Sequence, residues 1–207
     1  MSLLLKKFTL KKEYRSIEPF SIEFRDGINV IVGENGSGKS SILHLIMNEP
    51  DKELFSITTE KASFRFFDTE KQNPRIRDPN LSANFGFALA TRFGSHGEAM
   101  LPILLASKDF KDVILFVDEP EAGISLTNQM KIFKCFQKII ENNCQVILTT
   151  HSYLFIKSVN EVFSLDSKTW IPSSKYLDSI FSSNVKTVDT MIKRRKRGNS
   201  TSTSKTH

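Results

Sequence analysis

Three short apolar runs punctuate the chain: Ile28-Asn29-Val30-Ile31-Val32, Val113-Ile114-Leu115-Phe116-Val117 and Val146-Ile147-Leu148. β-Branched runs without polar alternation predict strands buried on both faces, the habit of parallel sheets. Each run stops at polar residues: the first at Gly33, the second at Asp118-Glu119, the third at Thr149-Thr150-His151. In open α/β sheets ligands collect beyond the carboxyl ends of the strands. Three candidate site segments are therefore expected along one edge of one sheet.

Helical periodicity fills the gaps. Ile42, Leu45 and Ile46 predict a helix over Lys39 to Asn48. Ser125 is a natural N-cap for a second, with a stripe of Leu126, Met130, Phe133, Phe136 and Ile140, closed by Asn142-Asn143. Leu4 to Leu10 and Phe20 to Phe24 alternate as strands of an accessory antiparallel sheet, and Ala62 to Phe67 reads as a further strand. Tyr176 to Phe181 and Val185 to Ile192 are expected as short C-terminal helices. The expected fold class is α/β: a mostly parallel core sheet flanked by helices, with the accessory sheet N-terminal to it.

Charge changes this picture at one end only. The net charge of +6 resides in residues 190–207, which hold six basic residues and no acidic ones; the remaining 189 carry 23 of each sign. The run Lys193-Arg194-Arg195-Lys196-Arg197 precedes a Ser/Thr-rich stretch that can bury nothing, so 193–207 is expected to be a disordered basic tail. Such a tail can touch nucleic-acid phosphates. The expected division is a main α/β domain over 1–172, a helical extension over 173–192 and the tail over 193–207. No apolar run approaches bilayer-spanning length, and Met1 to Lys12 lacks a signal-peptide layout. A cytoplasmic protein without membrane insertion is expected. Cys135 and Cys144 lack metal-ligand spacing and are expected as reduced thiols.

Gly33-Glu34-Asn35-Gly36-Ser37-Gly38-Lys39-Ser40 matches the phosphate-binding loop pattern without a mismatch. Glycines let the backbone curl its N–H groups around a phosphate. Lys39 adds a point charge, Ser40 a hydroxyl for Mg²⁺, and the following helix directs its positive end to the same place. Ser41 completes the candidate nucleotide contacts. Asp118, directly after a buried strand, is placed to hold Mg²⁺, and Glu119 to orient an attacking water. His151, on the same edge, can reach the γ-phosphate or that water. Lys39, Glu119 and His151 are thus the candidate catalytic residues, with ATP and Mg²⁺ the expected cofactors.

The order of these motifs resembles the ATP-binding cassette (ABC) ATPases, in particular the non-transporter branch of SMC-like proteins and small stand-alone ATPase heads. The resemblance runs from about Leu3 to Leu165. It rests on the phosphate loop, Gly94-Ser95-His96-Gly97-Glu98, Asp118-Glu119-Pro120-Glu121-Ala122-Gly123-Ile124-Ser125, and His151. It implies that Ser95 and Gly97 contact the γ-phosphate of ATP bound to an opposite protomer, and that Ile124-Ser125 crosses between protomers. Leu-Ser-Gly-Gly-Gln is the usual family form, from which this chain departs at three positions. Ser95-x-x-Glu98 is also a plain capping box. By the same resemblance Tyr14 would stack on adenine, although a packed strand-edge tyrosine reads the same way. Glu70 or Gln72 would approach Mg²⁺.

Only 56 residues separate Lys39 from Ser95. The helical subdomain of transporter cassettes and the long coiled-coil arms of SMC-like proteins both exceed what fits there, so a stripped ATPase head is expected. The resemblance implies an ATP-dependent homodimer that switches a protein partner, in DNA repair or in defence. The alternatives are an energy-coupling subunit of a transporter and a nucleic-acid-binding module with structural ATP.

Overall fold

A computed structural model describes residues 4–47, 52–60, 62–68, 105 and 107–182. In chain order the elements are β1 (Leu5–Leu10), β2 (Phe20–Glu23), β3 (Ile28–Val32), α1 (Lys39–Met47), β4 (Phe55–Thr59), β5 (Ser63–Asp68) and β6 (Val113–Asp118). Then follow α2 (Leu126–Glu141), β7 (Gln145–Thr149), α3 (Tyr153–Lys157), β8 (Glu161–Ser164) and β9 (Thr169–Pro172). A last helix, α4, occupies 173–182. Among the described residues no helix is long and apolar enough to cross a membrane.

The core sheet has the order β5-β6-β7-β3-β8-β9, parallel throughout except for the antiparallel edge strand β9. β1, β2 and β4 form the separate antiparallel sheet in the order β2-β1-β4. The three apolar runs are β3, β6 and β7, neighbours at the centre of the core sheet.

Because successive strand side chains point to opposite faces, each central strand feeds two cores. Val30, Val32, Leu115, Val117, Val146 and Leu148 join Ile132, Phe133, Phe136 and Ile139 of α2, with Phe155 of α3 and Leu177 of α4. Ile31, Ile114, Phe116 and Ile147 join Ile42, Leu43 and Ile46 of α1 and Phe8, Phe20 and Phe55 of the accessory sheet. The layers are therefore helices, core sheet, then α1 with the accessory sheet. Two buried amides tie the layers without leaving polar atoms unpaired. Gln145 accepts from Leu5 N at 2.7 Å and donates to Leu5 O and Arg25 O at 3.1 and 2.9 Å. Asn29 accepts from Arg25 N and returns a bond to Arg25 O.

α2 begins at the expected cap, Ser125, whose hydroxyl accepts from Asn128 N. Asn143, at φ +57°, takes the left-handed conformation that ends it. The expected stripe is rotated, however. Leu126 and Met130 are 67% and 42% exposed, whereas Gln129, Ile132 and Ile139 are buried. A glutamine occupies the inward position of the first turn because its amide is satisfied there: Nε2 donates to Ile124 O and Oε1 accepts from Ser152 Oγ. β4, β8 and β9 were not expected from the sequence. β4 is mostly exposed, β9 is half exposed, and both lack a long apolar run. Both cysteines are buried and neither forms a disulfide.

Candidate functional site

The turn after β3 is closed by Ser37 N donating to Glu34 O, and α1 starts with Ile42 N donating to Gly38 O. Gly36 and Gly38 sit at φ +79° and +95°, values that favour glycine. Gly38 has a second constraint, since an added Cβ would lie 2.7 Å from Ile17 Cγ1 and nearer still to its Cδ1. Ile17 belongs to a tight two-residue turn, bridged to Tyr14, with Arg15 and Ser16 both at positive φ. That turn presses on the loop from the accessory-sheet side. Gly38→Ala is expected to displace the loop and weaken ATP binding by about fivefold or more, because strain of this kind costs on the order of 1–3 kcal/mol. Calorimetric titration beside an unchanged circular-dichroism spectrum would check it.

Lys39 is only 5% exposed and donates to the carbonyls of Gly33 and Glu34 at 3.1 and 2.9 Å. Burial lowers its ammonium pKa, and the carboxylates of Glu119, Asp166, Asp118 and Glu121 oppose that shift. Ser37 Oγ is buried with no hydrogen-bond partner. A buried cation resting on its own loop carbonyls, beside an orphaned hydroxyl, suits a site that receives anionic oxygens. Ser40 and Ser41 are half-buried at the start of α1, while Glu34, Asn35 and Gly36 are exposed.

Strand parity sends Asp118 to the α1 face of β6. There it accepts from Ser40 Oγ at 3.0 Å and from Thr149 Oγ1 of the adjacent strand. Thr149 also engages the next residue, since Glu119 N donates to its carbonyl at 3.1 Å and lies 3.3 Å from its hydroxyl. Glu119 leaves the strand at φ +45°, a conformation rare for a non-glycine residue and typical of functional positions. Its Oε1 stands 3.6 Å from His151 Nε2. Burial raises the Glu119 carboxyl pKa. His151 works against that rise, while Asp118 and Glu121 add to it. A carboxylate with raised basicity at this edge is a candidate proton acceptor.

Lys39, Ser40, Asp118, Glu119 and His151 therefore converge on one edge, as the motifs suggested. β5 ends at Asp68, in register with Asp118. Glu70, Gln72, Ser95 and Gly97 lie outside the described residues, as do Val185 to Ile192 and the basic tail. Tyr14 lies in the turn whose Ile17 covers Gly38, with the Arg15 guanidinium 5.3 Å from its ring centroid.

Sequence reasoning missed four contributors. Thr149 gave no signal beyond its place at a strand end. Asp166, after β8, accepts from Glu34 N at 3.3 Å and so ties the loop to a strand 132 positions away. Glu121 Oε1 accepts from the backbone N–H groups of His151 and Ser152 at 2.6 and 3.1 Å. Gln129 reads as an ordinary helix-surface residue.

Two family models match the sequence: an AAA domain over residues 12–48 and an AAA ATPase domain over residues 98–156. No curated protein shows significant sequence similarity to the chain. Among solved structures, an inward-facing metal-chelate type ABC transporter is similar at 16% identity and TM-score 0.51, covering 82% of this chain and 84% of that one. Two dimeric structures of the bacterial ABC transporter cassette MJ0796 are also similar. One is a post-hydrolysis state bound to ADP and phosphate, with 12% identity, TM-score 0.47, and coverage of 78% of this chain and 91% of that one. The other has 13% identity, TM-score 0.48, and coverage of 78% and 93%.

Proposed function

We propose that this chain is a P-loop ATPase head that binds and hydrolyses ATP, as its two AAA-type matches and its ABC-type fold support, and that its working unit is a homodimer. In this reading two copies close on two ATP molecules, reopen after hydrolysis, and so switch a partner protein. The observation that carries it is the convergence of Lys39, Ser40, Asp118, Glu119 and His151 on one sheet edge.

Each residue then has a defined task. Lys39 exchanges its contacts with the Gly33 and Glu34 carbonyls for phosphate oxygens. Ser37 Oγ, otherwise unpaired, donates to the same phosphate oxygens. Ser40 and Asp118, already paired, would hold Mg²⁺, which when bound would neutralise charge on the phosphates. Glu119 accepts the proton of the attacking water, with His151 orienting both. The exposed Leu126 and Met130 follow directly on Ile124-Ser125, the segment the ABC resemblance assigns to the protomer boundary. Apolar side chains there are consistent with burial against a second copy. Ser95 and Gly97 would complete the site from that copy. The partner, by resemblance to the non-transporter branch, belongs to DNA repair or to defence against foreign DNA.

Light scattering on Glu119→Gln with and without Mg-ATP tests the reading. The expected outcome is a doubling of mass with ATP, abolished when Ser95→Arg is added. An unchanged mass with ATP bound would exclude the homodimeric site.

A further inference from the structure

His151 is held from two sides. Its side chain faces Glu119, and its backbone is gripped by Glu121, two residues further along the same loop. One carboxylate oxygen of Glu121 serves both the His151 and Ser152 N–H groups. Its other oxygen, Oε2, is buried with no hydrogen bond. A buried carboxylate oxygen left unpaired is costly, and an ordinary loop-closing residue would not need to carry that cost.

A second link runs in parallel. Ser152 Oγ, which accepts from Leu154 N at the start of α3, donates to Gln129 Oε1 at 2.6 Å. Gln129 Nε2 donates in turn to Ile124 O at 3.0 Å. Between these points the chain folds tightly, with Ala122 N on Glu119 O and Ile124 N on Glu121 O. The 119–125 segment and the 151–152 segment are thus joined at both ends, by Glu121 and by Gln129.

We infer that Glu121 and Gln129 are positioning residues: together they set the His151 imidazole opposite Glu119 and make its place depend on the 119–125 segment. Neither touches the reacting atoms. A displacement of Ile124-Ser125, such as a second copy would impose on closing, is passed through Gln129 and Glu121 to His151. This inference rests on the catalytic reading of His151 given above.

Glu121→Ala should quicken amide hydrogen exchange at His151 and Ser152 by about tenfold or more in the nucleotide-free protein, with β6 amides unchanged. The same variant should lower kcat by about tenfold and leave ATP affinity within about twofold, since it misaligns a transition-state contact while the Glu121 charge is the smallest of the influences on Lys39. Glu121→Gln keeps an acceptor oxygen and should recover most of both losses. In a His151→Ala background Glu121→Ala should cost less than about twofold more, because its effect is spent through His151. Gln129→Leu, of similar volume, should move exchange and kcat in the same direction and stands in if Glu121→Ala does not fold. Unchanged exchange at residues 151 and 152, or a full additional loss on top of His151→Ala, would overturn the inference. Wild-type turnover in His151→Ala alone would instead overturn the catalytic reading beneath it.

Discussion

Glu119→Gln should cut kcat by about 10²- to 10⁴-fold, the range expected when a positioned general base is removed, while ATP still binds. Glutamine has the same length, so it can keep the positive-φ backbone turn and the bond from Glu119 N to Thr149. What it loses is the carboxylate whose basicity burial raises. Single-turnover hydrolysis beside equilibrium nucleotide binding separates the two effects. A variant that turns over normally would transfer the base role away from residue 119. Loss of binding together with turnover would mean that the site collapses without that charge.

Lys39→Met should have the opposite profile, with ATP affinity falling by about 10²-fold or more, the loss expected on removing a buried, hydrogen-bonded charge from an ionic contact. Without nucleotide the change should be mild. Burial depresses the Lys39 pKa, so the folded protein holds this cation at a cost that the carboxylates of Glu119, Asp166, Asp118 and Glu121 only partly offset, while it makes two bonds to loop carbonyls. Methionine removes that cost together with the two bonds. Nucleotide-free stability should therefore shift by no more than about 1 kcal/mol, the size of an ordinary net hydrogen bond. Thermal melts with and without ATP measure both halves. The wild type should gain stability on adding nucleotide by mass action, and the variant should not.

The central strands were legible because they are buried on both faces and therefore apolar throughout. The phosphate loop was legible because its backbone needs glycine at fixed places, as Gly36 and Gly38 show. Two short edge strands were harder to read. β4 and β9 owe their conformation to β1 and β8, and their own sequence says little. The α2 stripe was misread because hydrophobicity marked Leu126 and Met130 as inward, whereas the buried first-turn position belongs to Gln129. A polar residue can occupy such a position when its partners come from distant segments. Those partners, Ile124 O and Ser152 Oγ, have no periodicity to reveal them. The same reason hid Glu121 and Asp166, whose roles depend on backbone groups they meet only in the fold.

The alternation of β3, β6 and β7 between two cores makes odd and even positions inequivalent all the way to the strand tips. Asp118 reaches Ser40, and Thr149 reaches Asp118, because each follows a fixed count from the residues that anchor its strand. Inserting or deleting a single residue within β6 would exchange the two cores along that strand. It would also turn the carboxylate at its tip away from α1. A two-residue change would restore the facing but shift the tip by roughly 7 Å, about two strand rises. Length variation in relatives of this chain should therefore be confined to the connections between strands, where a residue more or less carries no parity.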